Sequence, residues 1–163
     1  MDLIPGARWY PAHKADPRVV ALYRRHYTWL RYAPWWKDHR RGVVAPGESM
    51  VLLTVDGAAV WVWLRNTYPR RDGQTGVCCA LFRNEGPSLS SALILEAEEL
   101  ARGRWPGERL FTYVDPRRVK SGVPGWCFIR ARWKRVGESK GGLLIFEKRP
   151  LRRRLEARDG TGT

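Results

Sequence analysis

Two apolar runs joined by Asp56-Gly57 constrain the fold of this chain more than any other feature. The runs read MVLLTV and AAVWVWLR, and both are rich in β-branched and aromatic side chains. Asp-Gly readily adopts the positive φ angles of a two-residue type I′ turn, whose twist matches that of paired antiparallel strands. The segment therefore predicts a β-hairpin that turns at Asp56-Gly57.

The N-terminal part predicts an edge strand followed by a helix. The stretch ARWY has the character of a short edge strand. Asp16 is a typical N-cap residue and Pro17 suits the first helical position, so a helix is predicted from Pro17 to about Leu30. Pro34 then ends or interrupts this helix, because proline cannot donate the helical hydrogen bond.

After the hairpin, the apolar patterns predict three more strands and two more helices. The strands are VCCALF, ERLFTYVDP and GGLLIFEK. One helix has its apolar face between Leu89 and Leu100 and ends near Gly103, and a second covers Trp126 to Ala131. This order predicts an α/β fold in which helices flank a mixed, mainly antiparallel central sheet.

Length and composition fit one compact domain. The chain has 163 residues, of which 44% are hydrophobic, and this is enough for one core but too little for two comfortable ones. We expect a single domain over residues 1–150. Residues 151–163 are basic and then rich in Gly and Thr, so a flexible tail is expected there.

Cysteine usage and apolar runs bear on metal content and location. Cys78 and Cys79 lie inside an apolar run, which favours small buried side chains over a disulfide framework. Neither a CxxC nor an HxxxH spacing occurs, so no metal site is predicted. No signal-like segment opens the sequence, and no apolar run approaches the ~20 residues that span a bilayer. We expect a cytoplasmic protein that does not contact a membrane.

The net charge points to a polyanionic partner. The chain has 30 Lys and Arg against 16 Asp and Glu, which gives a formal charge of +14. Such an excess is typical of proteins that bind nucleic acid. We expect DNA as the partner, with RNA open as well, and a homodimer is one open oligomeric state.

A glycine-containing turn after the VCCALF strand is a candidate anion site. It runs Arg83-Asn84-Glu85-Gly86-Pro87-Ser88 and leads directly into a helix. Backbone N–H groups at the positive end of a helix can hold a phosphate, Gly86 permits close approach, and Ser88 can cap the helix. The alternative is a tight turn whose Gly and Ser serve the backbone alone.

The element order and this turn resemble the GNAT acyltransferase fold. Its pyrophosphate loop reads Gln/Arg-x-x-Gly-x-Gly/Ala, matched here by Arg83, Gly86 and, with a departure, Ser88. The resemblance implies that acyl-CoA or a related small donor binds at the loop and the first helical turn. The implied donor-binding residues are Arg83, Asn84, Glu85, Gly86, Ser88, Ser90 and Ser91. The segment WCFIRARW is similar to the helix that often supplies a tyrosine acid in GNAT enzymes, but Phe128 stands at the tyrosine position.

A narrower resemblance is to the phage and prophage proteins grouped with the Mom DNA-modification enzyme. It rests on RRHYTWLRY, FRNEGPSLSS, TYVDP and GWCFIRARWKRVG-ESKGGLLIFEK. His26-Tyr27-Thr28 matches a His-Tyr-Ser-like motif of that group. The resemblance implies addition of a carbamoylmethyl-type group to the N6 amine of adenine in DNA, which protects phage DNA from restriction.

Within this resemblance, four residues are candidates for catalysis: His26, Tyr27, Tyr113 and Asp115. His26 is the candidate general base, because an imidazole can take a proton from an attacking amine near neutral pH. Tyr113 or Asp115 would orient the nucleophile. The alternatives are a half-buried histidine with a satisfied ring, and an Asp115-Pro116 pair that simply forms a turn.

The segment RYAPWWKDHRRG interleaves aromatic and basic side chains. Aromatic rings can stack on an exposed base while cations neutralise phosphates, and modification of a base requires it to leave the duplex. The alternative is that the tryptophans belong to the core. The candidate nucleic-acid contacts are Arg31, Trp35, Trp36, Lys37, His39, Arg40 and Arg41.

Three functions follow. The first is a Mom-like enzyme that modifies a base amine in DNA. The second is a catalytically silent GNAT-like protein that binds nucleic acid, and Phe128 and Ser88 both favour it. The third is a conventional CoA-dependent acetyltransferase.

Overall fold

A computed structural model describes residues 8–28, 47–66, 70–120 and 122–151. Within these residues the chain forms three helices and one seven-stranded sheet. The helices are α1 (Pro17–Arg24), α2 (Ser90–Arg104) and α3 (Trp126–Arg130). The strands are β1 (Trp9–Pro11), β2 (Glu48–Thr54), β3 (Ala59–Arg65), β4 (Val77–Asn84), β5 (Leu110–Val114), β6 (Lys134–Glu138) and β7 (Leu144–Lys148).

The strand order in the sheet is β1-β2-β3-β4-β5-β7-β6. Only β4 and β5 run parallel, and the other neighbours are antiparallel. The predicted mixed, mainly antiparallel sheet flanked by helices is confirmed. Strand β6 is an addition to the predicted order, because its sequence KRVGE is polar and all five residues are exposed at the sheet edge.

The hairpin is confirmed, but the predicted type I′ turn is wrong. Four residues, 55–58, separate β2 from β3, and Gly57 alone of these has a positive φ, of 70°. The Asp56 carboxylate accepts hydrogen bonds from Thr54 Oγ1 (2.7 Å) and Ala58 N (3.0 Å). These side-chain bonds stabilise a wider loop, in which the Gly57 N–H donates to Thr54 O at 2.8 Å.

Helix α1 begins as predicted and ends earlier than predicted. The Asp16 carboxylate accepts from Arg18 N at 2.9 Å, and Pro17 opens the helix. The helix stops at Arg24, and the backbone turns before Tyr27 and Thr28 are helical again. A single helix to Leu30 is therefore wrong, and Leu30 and Pro34 themselves lie outside the described residues.

The two faces of the sheet carry separate apolar clusters. Val19 and Leu22 of α1 pack on one face, against side chains of β2, β3 and β4. Helices α2 and α3 pack on the other face over a larger cluster that includes Trp61, Trp63 and Phe146. The clusters support a single core on each side of the sheet, and the domain limits 1–150 and the tail 151–163 stay predictions.

Tryptophan N–H groups fasten helix α2 to the sheet. Trp9 Nε1 donates to Leu93 O at 2.8 Å, and Trp63 Nε1 donates to Ala97 O at 2.9 Å. Because both acceptors are carbonyls of α2, these bonds fix the position of the helix over the strands. The start of α2, next to the predicted anion loop, is thereby fixed as well.

Candidate functional site

The two parallel strands diverge at the centre of the sheet. They pair only from Val77–Leu110 to Cys79–Thr112, whereas β4 continues to Asn84. Ala80 is an extra residue opposite β3, since Val62 pairs with Leu81 and Trp63 with Cys79. Such a bulge bends a strand and re-aims the residues after it. The predicted anion loop follows the diverging end of β4.

Asn84 organises the loop between β4 and α2. Its Nδ2 donates to Ser88 O at 2.7 Å and to Ser90 Oγ at 3.0 Å, and its Oδ1 accepts from Gly86 N at 3.0 Å. A Cβ at position 86 would lie 2.8 Å from the Ala58 Cβ. Glycine is thus required there for packing against the hairpin loop.

The predicted cap by Ser88 is wrong. Leu89 occupies the N-cap position, and no side chain caps α2 by a hydrogen bond. The hydroxyl of Ser90 contacts Asn84, while Ser91 is partly exposed in the first turn. An uncapped first turn leaves backbone N–H groups that an anion can accept.

Glu85 and Arg83 do not stand free beside this loop. The Glu85 carboxylate accepts from Arg25 Nη2 at 2.8 Å and Nε at 2.9 Å, and it also accepts from Arg83 Nε. Hydrogen bonds from Arg25 and then Arg83 lower the pKa of Glu85 to about 2. We call Arg25, Arg83 and Glu85 the ion triad. It joins the end of α1 to the loop and retains one net positive charge.

His26 lies next to the ion triad and is buried. Its Nδ1 is 2.8 Å from Thr28 Oγ1 and accepts from Thr28 N at 3.3 Å. A backbone N–H can only donate, so Nδ1 is unprotonated and the neutral ring carries its proton on Nε2. Burial, and then the charge of Arg83, lowers the pKa of His26 to about 4. The ring is therefore neutral at pH 7.

Asp115 and Tyr27 meet at the end of β5. The Asp115 N–H donates to Tyr27 Oη at 3.5 Å, and the rings of His26 and Tyr27 have centroids 4.3 Å apart. The buried Asp115 carboxylate accepts from Arg117 Nε and from Arg117 N, both at 3.0 Å. The structure thus brings three predicted residues together, with Asp115 joined to Tyr27 through its backbone N–H. Asp115 also forms the alternative turn, in which Arg118 N donates to Asp115 O at 3.2 Å.

Tyr113 belongs to a different group. Its hydroxyl donates to the Asp72 carboxylate, and the Arg70 guanidinium lies 5.0 Å from its ring centroid. Burial, with the hydrogen bond to Asp72 as the next cause, raises the pKa of Tyr113. Because this side chain is bonded to the loop before β4, the structure does not bring it together with His26.

Phe128, at the position of the expected tyrosine, is a core residue. Its ring centroid lies 5.0 Å from Trp133, 6.2 Å from Trp61 and 6.4 Å from Phe82. The neighbouring Trp61 is buried as well, and its Nε1 has no hydrogen-bond acceptor within the described part of the chain. The predicted helix around Phe128 is confirmed as α3.

The remaining predicted site residues lie outside the described residues. They are Arg31, Trp35, Trp36, Lys37, His39, Arg40 and Arg41.

None of the helices in the described ranges is long and apolar enough to cross a membrane. Those ranges also contain no group of three or more His, Cys, Asp or Glu side chains placed to hold a metal ion.

Comparison with known proteins supports the fold. No protein-family model matches the sequence, and no curated protein matches it. Among solved structures, Escherichia coli ElaA matches with a TM-score of 0.51 and 13% identity, over 87% of this chain and 99% of ElaA. The protein has a GNAT-like fold, as its element order predicted. The comparison gives no support to the narrower resemblance to the Mom group.

Sequence reasoning missed Arg25 and Arg117. Each contacts a predicted site carboxylate, Arg25 that of Glu85 and Arg117 that of Asp115. For Arg117 a signal existed, because Asp-x-Arg after a strand end places the guanidinium within reach of the carboxylate. For Arg25 the only signal was its position next to His26.

Proposed function

We propose that the protein transfers a small acyl-derived group from an acyl-CoA-like donor to an amine on a nucleic acid base. The observation that carries the proposal is the convergence of His26, Tyr27 and Asp115 beside the β4–α2 loop of a GNAT-like fold. The net charge of +14 supports a polyanionic acceptor substrate. The N6 amine of adenine in DNA is the specific acceptor that the resemblance to the Mom group suggests.

The donor would be held by its anionic part. The uncapped first turn of α2 offers backbone N–H groups, and the ion triad adds one net positive charge. A phosphate close to Arg83 would compete with the Glu85 carboxylate for the same guanidinium. The CoA-type donor would supply an activated acyl carbon, and the residues described here would bind and orient it.

The acceptor amine would lose its proton to His26. In the transfer, the amine nitrogen bonds to the donor carbon, the leaving group departs with its electron pair, and the amine gives up one proton. Because Nε2 already carries a proton, Nδ1 is the accepting atom, and Thr28 Oγ1 lies 2.8 Å from it. We propose that Thr28 relays the proton and that Tyr27 and Asp115 orient the amine.

Mass spectrometry of nucleosides tests the proposal. DNA and RNA from cells that express the protein are digested, and we expect a nucleoside of increased mass that is absent when the Asp115→Asn variant is expressed. Unchanged nucleosides, in a host that supplies acyl-CoA donors, would contradict the proposal.

A second candidate is a catalytically silent protein that binds nucleic acid. The ion triad favours it, because Glu85 already occupies Arg83, and so does Phe128, which cannot donate a proton and packs in the core. Calorimetry with acetyl-CoA discriminates between the two. Binding supports the transferase, and its absence together with retained nucleic-acid binding supports the silent protein.

A further inference from the structure

Helix α3 and strand β6 present cations and apolar side chains together on the outer surface. We call this surface the α3–β6 face. Its members are all exposed: Trp126, Ile129, Arg130, Arg132 and Lys134. It lies at one edge of the sheet, and β1 forms the opposite edge.

The segment that contains this face is rich in cations. Residues 115–140 include eight lysines and arginines, all of them exposed, and two acids, Asp115 and Glu138. Arg117 forms an ion pair with Asp115 at 3.0 Å. Arg135 lies 3.5 Å from Glu138. Among the described residues, no acidic side chain forms an ion pair with Arg130, Arg132 or Lys134, so their charge is available to a partner.

Trp126 differs from the other tryptophans that the structure describes. Its exposed fraction is 52%, whereas each of the others is 6% exposed or less. The Arg130 guanidinium lies 5.9 Å from the Trp126 ring centroid. An exposed aromatic ring flanked by cations is the arrangement on which unpaired bases stack while phosphates are neutralised.

Other partners fit this face less well. Helix α3 has five residues, which is too short for an amphipathic helix that lies in a membrane interface. A second copy would bring the same positive charges against this face, and lysine and arginine on an edge strand oppose pairing with another strand.

We propose that the α3–β6 face binds single-stranded nucleic acid, with Trp126 stacking on a base and the cations contacting phosphates. This inference rests on the proposed function in taking nucleic acid as the partner. It assigns the contact to other residues than the segment 31–41 that the sequence predicted.

The test measures the affinity of the full chain for a fluorescein-labelled oligothymidine of about 20 nucleotides. Fluorescence anisotropy is recorded without any acyl donor, at several salt concentrations between about 50 and 200 mM. Trp126→Ala is expected to weaken binding roughly tenfold to a hundredfold, the loss typical of one stacked base, without changing the salt dependence. Trp126→Phe keeps a stacking ring and should retain most of the affinity.

Charge reversal provides a matched pair. Lys134→Glu should weaken binding and reduce the slope of log affinity against log salt by about 0.7 or more, because a phosphate contact is lost. Lys14→Glu makes the same charge change at an exposed position that follows β1, at the other sheet edge. It is expected to leave the slope nearly unchanged.

Equal effects of the two lysine variants would overturn the proposal, as would full affinity in Trp126→Ala. Binding to vesicles of phosphatidylserine and phosphatidylcholine that depends on Trp126 and Lys134, without binding to the oligonucleotide, would also overturn it. The binding assay contains no acyl donor, so its result does not depend on whether the protein catalyses group transfer. If the protein modifies bases but its affinity for the oligonucleotide is unchanged in both Trp126→Ala and Lys134→Glu, this inference is wrong and the proposed function stands.

Discussion

The Glu85 carboxylate accepts hydrogen bonds from both Nη2 and Nε of Arg25, the shortest at 2.8 Å. This contact links the residue before His26 to the loop that the sequence predicted as an anion site. Glu85 also accepts from Arg83, so a carboxylate of the protein occupies the position that an anionic ligand would seek. Glu85 therefore connects the loop to the residue before His26, and an anion that displaced Glu85 from Arg83 would also affect this connection.

Glu85→Gln should strengthen binding of acetyl-CoA. The variant releases the charge of Arg25 and Arg83 from a competing carboxylate, and exposed ion pairs of this kind are worth up to about 1 kcal/mol, or about fivefold in affinity. Calorimetric titration measures the effect. Glu99→Gln removes the same charge from an exposed position on α2 and serves as the control. Weaker binding in Glu85→Gln than in Glu99→Gln would show that Glu85 helps to hold the donor.

The stability of the protein should fall as the pH decreases from 6.5 to about 4. The pKa of His26 is lowered from 6.5 to about 4 in the folded protein, so the unfolded chain binds the proton first within that window. Linkage then lowers the free energy of unfolding by about 3 kcal/mol across it, and the contribution is fully present above pH 6.5.

Urea unfolding at several pH values measures this dependence. His26→Asn can still accept from Thr28 N and should flatten the curve between pH 6.5 and 4.5, whereas His13→Asn changes an exposed histidine and should not. An unaltered slope in His26→Asn would mean that His26 is not buried in its neutral form.

Thr28→Val should reduce turnover more than Thr28→Ser. The valine has nearly the shape of threonine but cannot pass a proton to His26 Nδ1, whereas serine keeps the hydroxyl that lies 2.8 Å away. Loss of a proton relay typically costs on the order of a hundredfold in rate. Steady-state kinetics with saturating donor test this, and equal rates for the two variants would exclude the relay.

Lys148→Met should destabilise the fold by about 1.5–3 kcal/mol, because the buried Glu98 carboxylate loses its closest charged donor and keeps the Trp133 N–H and Arg102, whose Nη2 lies 3.6 Å away. Lys148 Nζ donates to Glu98 Oε2 at 2.7 Å, and Glu98 also accepts from Trp133 Nε1 at 2.6 Å. The double variant Glu98→Gln/Lys148→Met removes both charges and should regain most of the loss. Chemical denaturation measures all the variants, and a double variant no more stable than Lys148→Met would contradict the pairing.

Trp63→Phe should cost more stability than Trp61→Phe, by about 1–2 kcal/mol. Both tryptophans are fully buried in β3. Trp63 Nε1 donates to Ala97 O, whereas the structure gives Trp61 Nε1 no acceptor within the described residues. Thermal unfolding compares the two variants, and a larger loss for Trp61→Phe would mean that its N–H has an acceptor after all.

The sequence predicted the sheet and the helices that pack on it better than it predicted their ends. Regular apolar spacing identifies β2, β3, β4 and α2, because burial of those side chains drives their formation. Strand β6 has no such spacing, and it forms only because β7 offers an edge to pair with. The break after α1 falls at Arg25 and His26, where the apolar spacing gives no signal for it.

The candidate site was predicted in its parts but not in its pairings. The sequence offered Tyr113, on β5, and Asp115, directly after it, for the same role. The Tyr113 hydroxyl contacts Asp72, whereas the Asp115 N–H contacts the Tyr27 hydroxyl. Glu85 and Arg25 are 60 residues apart in the chain. A single sequence carries no record of such a long-range contact, so the loop appeared more open to an anion than it is.

Transfer by the purified protein tests the proposed function most directly. Acetyl-CoA and an adenine-containing single-stranded oligonucleotide are incubated with the wild-type protein or with Asp115→Asn, free thiol is measured, and the digested nucleosides are weighed by mass spectrometry. For the wild-type protein, we predict thiol release that requires the oligonucleotide and a matching nucleoside of increased mass. For Asp115→Asn, we predict neither. Thiol release independent of the oligonucleotide, or no change in any nucleoside, would contradict the account.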